Sequence, residues 1–278
     1  MSESYDFVDF LGQVKPFNEA GNLSGKLHLY IKPLTPIFIG AGYEDRDGDL
    51  LYKCFQRYND MPVIPGSTLK GVLRTISEAV SYSCVEVSRD IERDLPFRNR
   101  SDCNCIVCKT YGRMGQKGCV NFGDFILKEG TTEKIKIPVL LGPHVENREV
   151  YYKNGKLRGI KFYRHGDYRK VENTRIPVEA VMPGSVFEGE IIFYKVHKKQ
   201  LMLLCYSLGL DGSFQLKIGG NKSGFFGSCE VEVKESYYAN GLQFDTVKFA
   251  RSYGENDINI QKNKHRLSDI LDYKSSIV

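Results

Sequence analysis

The chain has 278 residues, 41% of them hydrophobic and 26% charged, with a formal net charge of +5. That length can bury one large core or two small ones, and the composition is too apolar for a disordered chain. The longest apolar run, Leu201 to Leu210, is far short of the ~20 residues that cross a bilayer. The first residues carry acids where a secretory leader is basic and then apolar. A soluble, cytoplasmic chain with no membrane partner is therefore expected.

Residues 26–32 alternate, with Leu27, Leu29 and Ile31 on one face and His28 and Tyr30 on the other, which predicts a strand. Residues 33–66, broken by Gly and Pro, read as a long loop. It carries the acidic run Glu44-Asp45-Arg46-Asp47-Gly48-Asp49. Ser67 has the position of an N-cap for a helix with Leu69, Val72, Leu73, Ile76 and Val80 at helical spacing. Lys70 and Arg74 fall one turn apart on its opposite side.

Of eight cysteines, three crowd together as Cys103-Asn104-Cys105-Ile106-Val107-Cys108. Thiolates at this spacing in a polar turn can converge on one tetrahedral Zn2+. Cys84 and Cys119 are the nearest candidates for a fourth ligand. Cys84 is favoured, because it follows the first helix and can fold back, whereas Cys119 opens a predicted strand. A site with four protein ligands is closed, so the zinc is read as structural. Cys54, Cys205 and Cys229 read as core residues.

Residues 119–127 and 134–141 read as strands. A basic window follows, from Glu146 to Arg175, with nine Lys/Arg against four acids, so it carries the whole net charge. Tyr151, Tyr152, Phe162, Tyr163 and Tyr168 are interleaved with those cations. That pattern suits either single-stranded nucleic acid, whose phosphates take charge and whose bases take flat faces, or a solvated surface loop. Residues 186–196 form another predicted strand, followed by a helical pattern at Leu201, Leu204, Cys205 and Leu208, then strands at 215–218 and 228–234. The order β-α-β-β-α-β with insertions predicts an α+β, ferredoxin-like antiparallel sheet with helices on one face. Residues 239–278 read as a polar extension with one helix over 267–273.

Three glycine-containing segments remain: Ile39-Gly40-Ala41-Gly42, Ile64-Pro65-Gly66-Ser67-Thr68-Leu69-Lys70-Gly71, and Gly219-Gly220-Asn221-Lys222-Ser223-Gly224-Phe225-Phe226-Gly227. None is a Walker A loop or a dinucleotide fingerprint. In this order, with Thr35-Pro36 ahead and Val72-Leu73-Arg74 after the second, they resemble the RAMP superfamily, over about residues 25–236. The knuckle followed by Lys109-Thr110-Tyr111-Gly112, and the stretch Val178-Glu179-Ala180-Val181-Met182-Pro183-Gly184-Ser185-Val186-Phe187, are similar to elements of its type III backbone subunits. Phe162-Tyr163-Arg164-His165 recurs in some members.

The resemblance implies an RNA-recognition core with finger and thumb insertions: one domain over 1–238, with the acidic loop at 33–66, a zinc knuckle at 84–118 and a basic thumb at 143–185. Such subunits associate with one another and with other CRISPR effector subunits along a CRISPR RNA, and hold it against a target single-stranded RNA. Phosphates are expected near Gly66, Ser67, Lys70, Arg74, Asn221, Lys222 and Ser223, where glycine and a helix start expose N–H donors. The thumb, with Arg148, Lys161, Arg164 and His165, is expected to touch RNA or a neighbouring subunit. In type III members an Asp before the I-P-G-S motif cuts target RNA with a divalent metal, Mg2+ or Mn2+. Asp49 is the first candidate here, then Asp47 and Asp45. The acids also read as a solvated turn or as part of a Ca2+ loop lacking its bidentate Glu. The alternatives are a purely structural RNA-binding subunit, and a guide-processing ribonuclease that would use His28, His144 or His165 as general acid–base.

Overall fold

The computed structural model describes residues 4–85, 102–138, 148–154, 156–168 and 177–276. Two long strands, Leu23–Pro33 and Val186–Val196, pair antiparallel from Leu23↔Val196 to Ile31↔Phe187. Ser228–Tyr238 pairs with the other edge of Leu23–Pro33, and Phe125–Glu129 and Val120–Phe122 pair with Val186–Val196. The sheet extends through Met61–Ile64 to Arg57–Tyr58, and on the opposite side to the short strand Leu216–Lys217. Every pairing in this sheet is antiparallel.

The alternation of Leu27, Leu29 and Ile31 decides which face is covered: all three are fully buried. They share one core with Leu69, Leu73 and Ile76 of the helix Gly66–Ala79 and Leu201, Leu204 and Cys205 of the helix Lys198–Ser207. His197 and Gln200 cap the second helix: His197 Nδ1 accepts from the Lys199 N–H at 3.2 Å, and Gln200 Oε1 accepts from the His197 N–H at 2.9 Å. The sheet's other face is laced with charge. Glu188 accepts from His28 at 2.7 Å and Lys234 at 2.9 Å, and Glu190 from Lys26 at 2.7 Å. Acids there pair with the described lysines.

Several expectations are corrected. Residues 33–66 are not a loop, because a hairpin of Gly40–Asp47 and Leu50–Phe55 lifts the acidic run away from the core. Leu50–Phe55 joins Val178–Val181, which pairs with Thr132–Ile135, giving a second, four-stranded sheet. The strand expected at 134–141 is Thr132–Ile135; residues 139–141 lie outside the described part. Ser67 is not the N-cap: Pro65 has that position, and the Asp124 carboxylate accepts from the Gly66 N–H at 2.8 Å. The extension carries two helices, Thr246–Ser252 and Ile258–Leu271, whose Ala250, Ile260, Leu267 and Ile270 join the main core.

Part of the basic insertion is pinned to the domain. Ile160–Tyr163 pairs with the N-terminal strand Tyr5–Val8. Asp6 ties the ribbon to the C-terminal helix, accepting from Arg164 at 2.6 Å and Arg266 at 2.7 Å.

Arg74 is also corrected. It is only 7% exposed, with Nε on Glu78 at 2.9 Å and Nη1 on the Gly112 carbonyl at 2.9 Å. It links the first helix to the knuckle. Arg74→Ala removes a buried guanidinium bonded to Glu78 and to the Gly112 carbonyl and should cost about 3 kcal/mol in urea unfolding, whereas Lys70→Ala, on a partly exposed side chain, should change stability by less than about 0.5 kcal/mol.

Candidate functional site

The glycine-rich loop after Ile218 is seated against the backbone of residues 35–39. The Gly220 N–H donates to the Phe38 carbonyl at 2.8 Å, and the Gly227 N–H to Pro36 at 2.8 Å. Thr35 Oγ1 donates to the Phe225 carbonyl at 2.9 Å and accepts from the Ser228 N–H at 3.0 Å. Gly219 has φ +88° and faces the Phe38 carbonyl so closely that any Cβ would collide with it. Two of the sequence motifs, Thr35–Gly42 and Gly219–Gly227, therefore form one unit.

Beside that unit positive charge is buried with no carboxylate paired to it among the described residues. Lys217 is 5% exposed; its Nζ donates to the Phe226 carbonyl at 3.1 Å, and burial pushes its amine down to about 7. Lys222 is half-buried, and burial lowers its amine too. Asn221, in the left-handed region at φ 51°, is 3% exposed, and neither its side-chain oxygen nor its nitrogen has a hydrogen-bond partner. Ser223 is exposed beside them. One buried and one half-buried cation beside an unpartnered amide are an arrangement that an anion would complement.

His165 is not at a surface. It is buried, with Nδ1 2.8 Å from Ser228 Oγ and Nε2 3.2 Å from the Gln215 carbonyl, and burial followed by the Lys217 charge pushes its pKa down to about 3. Both ring nitrogens are engaged inside the fold, so His165 braces the loop. His28 is engaged by Glu188 on the charged sheet face. His144, the side chain of Arg148, and Arg169, Lys170 and Arg175 lie outside the described residues. Lys161 sits over the rings of Tyr5 at 3.8 Å, Tyr163 at 4.7 Å and Tyr151 at 5.2 Å, and Arg164 is held by Asp6. Gly66 is buried with its N–H on Asp124, while Ser67 is exposed and Lys70 partly so.

The three acids have different surroundings. Asp45 accepts from the Arg46 N–H at 2.8 Å and from Tyr52 at 3.4 Å. Asp47 is paired with Lys134, whose hydrogen bond and charge lower its pKa. Asp49 occupies the exposed turn with Gly48, and among the described residues no side chain or backbone group engages its carboxylate. The hairpin's base is fixed by Glu179, which is buried and accepts from the Phe55 N–H at 3.0 Å and from Arg57. The acids do not converge as a cation cage; among the described residues only the cysteines form a cluster that could hold a metal.

That cluster is Cys84, Cys103, Cys105 and Cys108, with all four sulfurs within 4.8 Å of one another. Cys84 Sγ lies 3.3 Å from Cys108 Sγ and 3.8 Å from Cys105 Sγ. A disulfide would need about 2.05 Å, whereas Zn–S bonds of about 2.3 Å at tetrahedral angles put sulfurs about 3.8 Å apart. Hydrogen bonds with Cys108 and Cys84 lower the Cys105 thiol, and the same contact with Cys105 pushes the Cys84 thiol up. Without a cation, further ionisation is opposed; a divalent ion would let all four thiols ionise together. Cys105 also caps the short helix Ile106–Tyr111, and Arg113 Nε donates to the Cys103 carbonyl at 2.8 Å, fixing the knuckle's backbone. Cys119 stands apart, at the start of its strand.

Lys217, Thr35 and Glu179 were not singled out from the sequence as parts of a site. A lysine inside a strand reads as surface, and only its burial reveals it.

Purified without added metal, the protein should carry about one zinc per chain; Cys84→Ser should lose it and Cys119→Ser should keep it, by elemental analysis. Lys217 has a folded pKa near 7 and an unfolded value near 10.5, so its burial costs most below pH 7 and progressively less as pH rises toward 10.5. Lys217→Met should therefore raise the urea midpoint at pH 6 and change it far less at pH 10.

No curated protein matches this chain. The RAMP superfamily matches it over residues 30–230, which takes in the end of the strand Leu23–Pro33, the whole of Val186–Val196, the acidic hairpin, the cysteine cluster and the glycine-rich loop. The chain belongs to the RAMP superfamily.

Proposed function

We propose that this protein is an RNA-binding backbone subunit of a type III CRISPR effector complex, that it holds CRISPR RNA through the glycine-rich loop, and that it cuts bound target RNA at the acidic hairpin. The observation that carries the reading is buried Lys217 and half-buried Lys222 at the unpartnered amide of Asn221, with no carboxylate paired to either lysine among the described residues. An RNA phosphate supplies the missing charge. Strand order supports a ferredoxin-like core: Ser228–Tyr238, Leu23–Pro33, Val186–Val196, then Phe125–Glu129, which is the order 4-1-3-2 of a βαββαβ unit.

The unit formed by Thr35–Gly42 and Gly219–Gly227 leads directly into the acidic hairpin, through Gly40 at its first strand. Asp49 at the turn is the free carboxylate of the three candidates, which favours it over Asp47 and Asp45. A divalent cation such as Mg2+ or Mn2+ would offset charge that develops on the scissile phosphate as the RNA 2′-OH attacks. With one free carboxylate here, RNA oxygens would provide most of the other contacts. The chain's own contribution is to position the backbone on the loop and to present Asp49. Zinc at the four cysteines is assigned a structural role.

The non-catalytic reading shares the loop and dispenses with Asp49. In the assembled complex, Asp49→Ala should abolish Mg2+- or Mn2+-dependent target cutting while RNA affinity stays within a few-fold. Retained cutting in the Asp45, Asp47 and Asp49 triple alanine variant would leave the structural reading. Lys222→Ala should weaken RNA binding across sequences and flatten its salt dependence by about one unit.

A further inference from the structure

The strand Ser228–Tyr238 is the last long strand on its side of the main sheet. Leu216–Lys217 covers only Ser228 and Cys229, and a turn returns to the strand near Tyr237, through the Tyr237–Gln243 bridge. Between these, among the described residues, nothing pairs with the outer side of residues 230–235. The Ile218 N–H donates outward-side to the Gly227 carbonyl, and the Leu34 N–H takes the Ser228 carbonyl on the inner side. By the alternation of an antiparallel strand, Val231 and Val233 therefore turn their N–H and C=O groups to the open edge. Beside that edge lies a groove of about 330 Å3, lined by Leu208, Leu210, Leu216, Val231, Val233 and Val247.

Natural sheets usually blunt a free edge with proline, bulges or inward charge. Here the bulge comes only after Val233, the charges along residues 230–232 are acidic, and the groove beside the edge is lined by leucines and valines with Gln215, Thr246, Glu230 and Glu232 at its polar margin. The flanking side chains point to the occupant. Val231 and Val233 are half-buried against the core, while Glu230 and Glu232 alternate with them on the exposed face. Lys32, which stands opposite Glu230 in the register, closes its ion pair on Glu232, so among the described residues Glu230 makes no ion pair within 4 Å. Directly opposed residues on neighbouring strands stabilise each other when apolar faces apolar and charge faces opposite charge. A complementary strand is apolar opposite Val231 and Val233 and basic opposite Glu230 and Glu232.

We propose that this edge takes up an extended arm of a partner protein, alternating apolar and Lys/Arg residues, as an added strand of the main sheet. The backbone supplies the pairing, the groove receives the apolar side chains, and Glu230 selects for positive charge. The surface is separate from the glycine-rich loop and the acidic hairpin, and it does not depend on the RNA reading.

The test uses the full chain and short synthetic peptides: one alternating Lys and Val, one alternating Glu and Val, and an N-methylated copy of the first that cannot form strand hydrogen bonds. The Lys–Val peptide should bind saturably and slow hydrogen exchange at the Val231 and Val233 amides, and the other two should not. Glu230→Lys, at an exposed position, should weaken the Lys–Val peptide about tenfold, or about 1.4 kcal/mol, and improve the Glu–Val peptide. Equal binding of all three peptides, or binding without slowed exchange at these amides, would overturn the proposal. So would a single-stranded RNA oligonucleotide that protects the same amides where the peptide does not.

Discussion

The close seating of the glycine-rich loop on the backbone of residues 35–39 is the constraint on which the candidate site depends. Gly219 leaves no room for a side chain against the Phe38 carbonyl, and Thr35 locks the far end of the loop through Phe225 and Ser228. Seating the loop this way covers Lys217 and turns the Asn221 amide inward. A buried amine without a counterion lowers stability. The fold tolerates that cost at a position where an anion would reverse it. The same seating sets the start of the acidic hairpin, because Gly40 follows directly from Phe38 and Ile39.

A second organising contact lies at the far end of the first helix. The chain leaves Ala79 and within a few residues delivers Cys84 to the knuckle, while Arg74 reaches the Gly112 carbonyl from the same helix. Tyr111 adds a buried hydrogen-bonded link, its hydroxyl 2.8 Å from Ser77 Oγ and 3.1 Å from Ser207 Oγ. The knuckle is thus bolted to both core helices. A metal there would stiffen the helix whose N-terminus faces Asp124, and so would act on the site only through the scaffold.

Much of the framework was legible in the sequence because periodicity and burial agree. Leu27, Leu29 and Ile31 alternate and are buried; Cys84 follows a helix and completes the sulfur cluster. What was not legible depends on partners distant in the chain. Arg74 sits on the polar side of its helix by periodicity, yet the knuckle covers that side. Ser67 looks like a cap, but Asp124, remote in sequence, accepts from the helix start. The hairpin at 40–55 escaped notice because its first strand is exposed and acidic, with no apolar alternation to mark it. His165 and Lys217 look like surface residues by type and are inside, which only the packing of the loop reveals.

The central claim is that an RNA phosphate provides the counter-charge for buried Lys217 and half-buried Lys222 at the glycine-rich loop. An amine held near pKa 7 by burial must gain a proton when an anion arrives beside it. Calorimetric titration of the protein with single-stranded RNA at about pH 8, in buffers of different ionisation enthalpy, measures that proton directly. The account predicts net uptake approaching one proton per bound chain, absent in Lys217→Met. Binding with no proton uptake, or with uptake that survives in Lys217→Met, would contradict it.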